Sequence, residues 1–420
     1  MKRIVLFIMA TVLSVGAWAE NLWTGSETLA YYGFKLTDAV SMSEGDVLTF
    51  TVTETTTGWA ALKLKANDMT PGWAQPGTEL ISTSAAVGTV KIVVTSEVAA
   101  AAADKGLWLD GNDCTVTSVD LEQKQATLNL YSSDEGTTVN YWGSGLSKAM
   151  FGAVQKGDLL TVTIKSVGAD WGAHFSVTTK AGGDDNVELA TAFISPDALP
   201  TTVKIAFTDD MVTAAKSDGL YLNTGTYTYT SVDIVYTPTV SINAEAGYAT
   251  FGYAAALDLT DVEAYTVSVS GTTAQLTSVK GKKIPAGTGI ILKGSGDVTI
   301  PLTTEATDDI TDNDLLVSDG TIAADQSTIY VLANGNNGVG FYLLNNGYVY
   351  AGKAYLKVSD KTNVRQFIGF SDDTTGINEE LRMKNEKFAT AQYYNLQGQQ
   401  VACPTKGLYV VNGKKVVITK

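Results

Sequence analysis

Histidine occurs once in this chain, cysteine twice and proline eight times in 420 residues, and each scarcity removes a class of function. A Ser-His-Asp or Cys-His centre would have to be built on His174, which stands beside Trp171 in a strand-like stretch without a nucleophile motif, so it is read as a surface or satisfied strand histidine. Cys114 and Cys403 fall in different expected domains. Neither their number nor their spacing describes a disulfide framework, and both are expected as free thiols. Charged residues are 17% of the chain and the net charge is −15, which leaves no phosphate-neutralising surface and excludes nucleic acid as a partner class. The acidity is read as serving solubility outside the cell. No glycine loop opens onto a helix in the way that cradles phosphate.

Long apolar runs are also missing. The run from Ile4 to Val15 is too short to span a bilayer comfortably. Lys2 and Arg3 precede it and Ala17-Trp18-Ala19 follows, which is the layout of a secretory signal peptide over residues 1–19, cut after Ala19. No cysteine stands at the cleavage point, so lipid anchoring there is excluded. The mature chain is expected to be secreted, extracellular or on the outer cell surface, with no membrane span.

What the chain has in abundance is glycine, forty residues of it, together with Thr, Val and Tyr, a mixture that favours strands. It also repeats itself. Glu44-Gly45-Asp46-Val47-Leu48-Thr49-Phe50-Thr51-Val52 recurs as Lys156-Gly157-Asp158-Leu159-Leu160-Thr161-Val162-Thr163-Ile164, and Trp59 falls on Trp171. Val90-Lys91-Ile92 recurs as Val203-Lys204-Ile205, and Gly106-Leu107-Trp108-Leu109 as Gly219-Leu220-Tyr221-Leu222. Two modules follow, at 20–124 and 125–238. Leu48, Phe50 and Val52 alternate with threonines, as do Leu160, Val162 and Ile164, which predicts half-buried strands. One helical turn is expected to interrupt the strands of each module. Thr95-Ser96-Glu97 opens it, Lys105 and Gly106 close it, and Thr208-Asp209-Asp210 to Gly219 repeats the signals. Short strands punctuated by glycine, in units of about 110 residues, predict an all-β protein: two tandem antiparallel β-sandwich modules of jelly-roll type. An immunoglobulin-like sandwich is disfavoured, because neither module has cysteines flanking a tryptophan.

After Pro238 the texture changes to pairs such as Tyr248-Ala249-Thr250-Phe251 and Phe341-Tyr342-Leu343-Leu344, giving a third all-β domain over 239–375. Residues 376–387 read as a linker. Residues 388–420 form a small β tail, with Asn412-Gly413 as a two-residue hairpin turn.

The opening Leu22-Trp23-Thr24-Gly25, the Gly45-Asp46 start of a strand and the closing Gly106-Leu107-Trp108-Leu109 to Val119-Asp120-Leu121 resemble the jelly-roll carbohydrate-binding modules of secreted Bacteroidota polysaccharide-utilisation proteins. Through Tyr248-Ala249-Thr250-Phe251 and Ile284-Pro285-Ala286-Gly287-Thr288-Gly289, the third region resembles an accessory domain common in such proteins. Tyr394-Asn395-Leu396-Gln397-Gly398 and Gly407-Leu408-Tyr409-Val410 are similar to type IX C-terminal sorting segments. The resemblance implies a plant polysaccharide of glucan, mannan or xylan type as ligand.

Sugar binding needs an aromatic platform for the C–H face of a pyranose, flanked by polar groups that read hydroxyls. The candidates are Trp73, Trp59, Trp23, Trp171, Trp142 and Tyr221. Trp73 leads, because Pro71-Gly72-Trp73-Ala74-Gln75-Pro76-Gly77 is rigid and turn-rich, and the resemblance places a ligand-stacking tryptophan in this loop. Trp59 and Trp171 follow turn-like residues, where a large side chain is hard to bury. Trp23 and Trp108 sit at strand-like positions, where core packing is the stronger reading. The second module has Asp184-Asp185-Asn186 in place of the Trp73 loop, so it either binds through Trp142 and Trp171 or has become a spacer.

No cofactor is required by this reading. Asp134-Glu135, Asp184-Asp185, Asp209-Asp210 and Asp308-Asp309 are expected as solvated turns, with a structural calcium in each sandwich as the alternative. Glycoside hydrolysis needs only a carboxylate pair, yet the acids stand mostly in Gly/Asp/Asn turns, so a non-enzymatic protein is expected. Two other readings compete with glycan binding. One is a structural surface adhesin with protein partners, and the other is an enzyme associated with glycoside hydrolysis, housed in 239–375.

Overall fold

The computed structural model describes residues 19–30, 33–55, 60–66, 78–84, 88–140, 143–182, 185–271, 273–358, 364–371, 393–394, 400–401, 407–411 and 414–418. The expected signal peptide up to residue 18, the linker 376–387 and Cys403 lie outside them.

Alternation in the sequence becomes sidedness in the strands. In Val47–Thr55 the side chains of Leu48, Phe50 and Val52 are buried, and Leu160, Val162 and Ile164 are buried in Leu159–Val167. The pairing repeats as well. Leu48 lies opposite Ile92 on one side and Leu121 on the other, as Leu160 lies opposite Ile205 and Ile234.

In the second sandwich one sheet has the order Thr201–Ala206, Leu159–Val167, Tyr227–Val235, Thr127–Val139. The other has the order Glu188–Ile194, Ala173–Thr178, Leu220–Asn223, Ser144–Leu146. Val162, Ile164 and Val232 of the first sheet meet Phe175, Val177 and Leu222 of the second in one core. The first sandwich uses the same order of strands with one difference. Its strand Leu107–Glu122 runs sixteen residues through both sheets, pairing first with Ala61–Lys65 and Phe34–Thr37, then with Val47–Thr55 and Ala19–Ala30. The corresponding strand of the second copy is interrupted at Thr224 and Gly225, whose φ angles are 63° and 59°.

Each sandwich carries one helix, α1 (Ser96–Lys105) and α2 (Asp209–Ser217). Both are longer than the single turn expected, because nothing between the N-cap and the closing glycine breaks them. Thr95 Oγ1 accepts from Val98 N and Thr208 Oγ1 from Met211 N, each at 3.2 Å, and the acidic Glu97, Asp209 and Asp210 occupy the first turns. Gly106 and Gly219 follow the helices at φ 84° and 87°. A Cβ there would fall 2.0 Å from Thr37 O or 2.3 Å from Leu146 O, so both copies require glycine for backbone to approach backbone.

The repeated Gly-Asp pair has a structural use. Asp46 accepts from Ser43 N and Lys124 N at 2.7 and 2.9 Å, and Asp158 accepts from Gln155 N and Thr237 N at 2.8 and 2.7 Å. Each carboxyl thus ties the start of a central strand to the exit of its module. Burial raises the Asp158 carboxyl above its ordinary range, against the pull of those donors.

The sandwiches also touch. Val47 and Val93 of the first pack into the second's core, and Lys91 Nζ donates to Asn129 O at 3.0 Å. The next junction joins Leu159 and Val235 to Ala255, while the Tyr253 hydroxyl reaches the carbonyls of Ala126, at 3.0 Å, and Tyr236.

The third region folds around a nine-stranded sheet running from Tyr248–Phe251 to Leu315–Val317. Its two ends meet through Gly252 N to Gly352 O, at 2.9 Å, and Asp314 N to Val267 O, at 2.7 Å, which curls it nearly into a barrel. Thr273–Ser278 and Phe367–Phe370 pair in parallel, and all other strand pairs among the described residues are antiparallel. The tail is a small antiparallel sheet in which Val411 faces Lys414, leaving two residues between Gly407–Val411 and Lys414–Ile418. The Asn412-Gly413 turn itself lies outside the described residues.

Candidate functional site

On the strand Ala173–Thr178, Phe175 and Val177 point into the core, so His174, Ser176 and Thr178 point the other way. Residues paired across antiparallel strands share a face. His174 is opposite Phe193, Ser176 is opposite both Thr191 and Asn223, and Thr178 is opposite Tyr221. The outer face of the second sandwich therefore has three rows.

The first row is aromatic. Trp171, in the turn leading into the strand, is 63% exposed, and Phe193 is 55% exposed. His174 stands between them, with ring centroids 6.0 Å from Trp171 and 5.6 Å from Phe193. Gly172 makes this possible, since a Cβ there would lie 2.8 Å from Phe193 Cζ and 2.4 Å from Ile194 O. The middle row is polar and uncharged. Ser176 and Thr224 are hydrogen-bonded through their hydroxyls, Asn223 Oδ1 accepts from Thr224 N at 2.8 Å, and Asn223 Nδ2 donates to Ala181 O at 2.9 Å. Asn186, Asn223, Thr224 and Thr226 line a cleft of about 440 Å³, and among the described residues none of its lining side chains is ionisable. Tyr221, half-buried, closes the face over Gly145, where a Cβ would sit 3.0 Å from its ring.

The equivalent face of the first sandwich is built otherwise. Lys65 is opposite Trp108 there, just as Thr178 is opposite Tyr221 in the second copy. Trp108 is buried, as its strand position suggested, but on the side of the strand away from Leu107 and Leu109, which face the inter-sheet core. It is only 8% exposed, with Lys35 Nζ 5.4 Å from its ring. Lys63 and Lys65 both approach Glu79, at 3.9 and 3.4 Å. Trp23 is half-buried against Phe34, 4.9 Å between centroids, so it offers no free platform.

Of the sequence candidates, then, Trp171 and Tyr221 share one face, and Trp23 packs in the other sandwich. Trp73, Trp59 and Trp142 lie outside the described residues. No family model matches this chain, and no curated protein matches it. Phe193, Asn223 and Thr224 were not among the candidates. Phe193 had a signal in the alternation Thr191-Ala192-Phe193-Ile194, but its phase becomes readable only once Ile194 is known to face inward.

Ser176, Thr178 and Asn223 are themselves buried, at 1%, 3% and 7% exposure, so the groups open to a ligand are Asn186, Thr224 and Thr226. The arrangement can stack a ring on indole and phenyl faces while these exchange hydrogen bonds with its hydroxyl groups. Among the described residues no group of three His, Cys, Asp or Glu side chains is placed to hold a metal, and no helix is long and apolar enough to cross a membrane.

Proposed function

We propose that the protein is a non-catalytic polysaccharide-binding protein, exported by residues 1–19, that holds a neutral glycan on the outer face of its second sandwich. The observation that carries this reading is the exposed Trp171–His174–Phe193 row beside a cleft whose described lining is uncharged and carries amides and hydroxyls. A monomeric soluble domain seldom leaves two large aromatic side chains mostly exposed and adjacent without a ligand. A charged cleft would suit an ionic substrate, whereas this lining matches sugar hydroxyls. The first sandwich adds avidity if its Trp59 and Trp73 also take ligand.

The test is affinity electrophoresis of the mature chain through gels containing glucan, mannan or xylan. Wild type should be retarded by at least one. Trp171→Ala and Phe193→Ala should each weaken binding by roughly 5- to 30-fold, the loss of one stacking contact of about 1–2 kcal/mol. Trp73→Ala and Trp59→Ala report on the first sandwich. If no glycan retards the wild type the reading fails, and if Trp171→Ala migrates like wild type the platform assignment fails.

A further inference from the structure

The third region has a cleft of about 550 Å³ that the glycan reading above does not use. Tyr348 and Tyr350 stand at its rim, 63% and 44% exposed, while Val349 between them is 3% exposed. Alternation puts both phenol rings on one side of the segment. That segment is fixed before any ligand arrives. Ala324 N donates to Gly347 O, Val349 N to Ile322 O and Gly352 N to Ser318 O, and the Ser318 hydroxyl donates to Val349 O at 2.8 Å. A platform held in this way loses little freedom on binding.

The chemistry of the lining is specific. Among the described residues Lys353 is the one lining the cleft that carries a formal charge, and no acidic side chain of theirs pairs with it. Asn243 and Asn346 supply amides nearby. Partial burial lowers the Lys353 ammonium below the usual lysine range, with no carboxylate to restore it. In a chain of net charge −15, an uncompensated and partly desolvated cation in a tyrosine-rimmed cleft is matched by an anion brought from outside.

We propose that this cleft binds a sugar unit bearing a single negative charge, a uronate carboxylate or a sulfate ester, with Lys353 pairing the anion and Tyr348 and Tyr350 receiving the ring. The site lies on a different domain from the Trp171 face and takes a different ligand class, so it stands or falls separately from the neutral-glycan reading. The chain's overall negative field does not forbid it, because at physiological salt charges more than about 8 Å away are largely screened.

The experiment is affinity electrophoresis of the mature chain in buffer of about 0.15 M salt, with polygalacturonate, carrageenan or neutral galactan in the gel. Retardation by polygalacturonate or carrageenan but not by galactan is expected, and the arm that retards says whether carboxylate or sulfate is preferred. Lys353→Met should weaken that retardation by about tenfold or more. Tyr348→Ala, at an exposed position that leaves folding intact, should weaken it by roughly fivefold. Trp171→Ala should leave it unchanged. Absence of retardation by both anionic polymers, or a Tyr348→Ala protein that binds them like wild type, overturns the proposal.

Discussion

The thiol of Cys114 is buried beside Ala61 O, 3.7 Å away, and burial, reinforced by the neighbouring Asp113 carboxylate, pushes it up to about 11. Near pH 7 only on the order of one such thiol in ten thousand is ionised. Since the thiolate is the reactive species, iodoacetamide should leave Cys114 unmodified in the folded protein over hours and alkylate it within minutes in denaturant, as peptide mass spectrometry would show. Labelling of Cys114 at equal rates in both states would refute its burial. A cysteine in a strand-like stretch could be assigned as a free thiol from the sequence, but its protection could not, because the carbonyl above it belongs to another strand, more than fifty residues away. The same holds at the candidate site. Trp171 was legible, since it follows turn residues. Phe193 was not, because an exposed phenylalanine in a strand looks like a buried one until the register with His174 is known.

Elements were read best where their signals are local. The helices α1 and α2 announce themselves by cap, acidic first turn and closing glycine, and both form where those residues stand. Removing a cap leaves an amide without its partner, so Thr95→Ala and Thr208→Ala should each cost about 1 kcal/mol in urea unfolding. The double variant should lose the sum, because the two caps serve separate sandwiches and share no partner. A loss of less than about 0.3 kcal/mol in either single variant would mean that its helix is held by packing alone. Strand pairing was less legible. The repeat predicted two copies of one fold, and Leu48 and Leu160 do hold the same partners in each. That one copy shares a strand between its sheets depends on how the residues around Asp113, at φ 57°, pass from one sheet to the other, a matter of tertiary context.

At the scale of the molecule, the second sandwich is gripped at both ends: by Val47 and Val93 on one side, and by Tyr253 and Ala255 on the other. The second junction should couple unfolding. Tyr253→Ala removes the hydroxyl that reaches Ala126 and Tyr236, and should cost about 2 kcal/mol while splitting a shared calorimetric transition into two. A single undivided transition in the variant would place the coupling elsewhere. The whole arrangement also explains why the two copies are not interchangeable. In the first, an unbroken line of backbone hydrogen bonds crosses from sheet to sheet through Leu107–Glu122. In the second, the break at Thr224 and Gly225 leaves the sheets joined by side-chain packing and loops. Sliding one sheet of the second copy against the other would therefore rupture no shared ladder, and the turn by which the chain passes between them is the one that lines the cleft of Asn186 and Thr226.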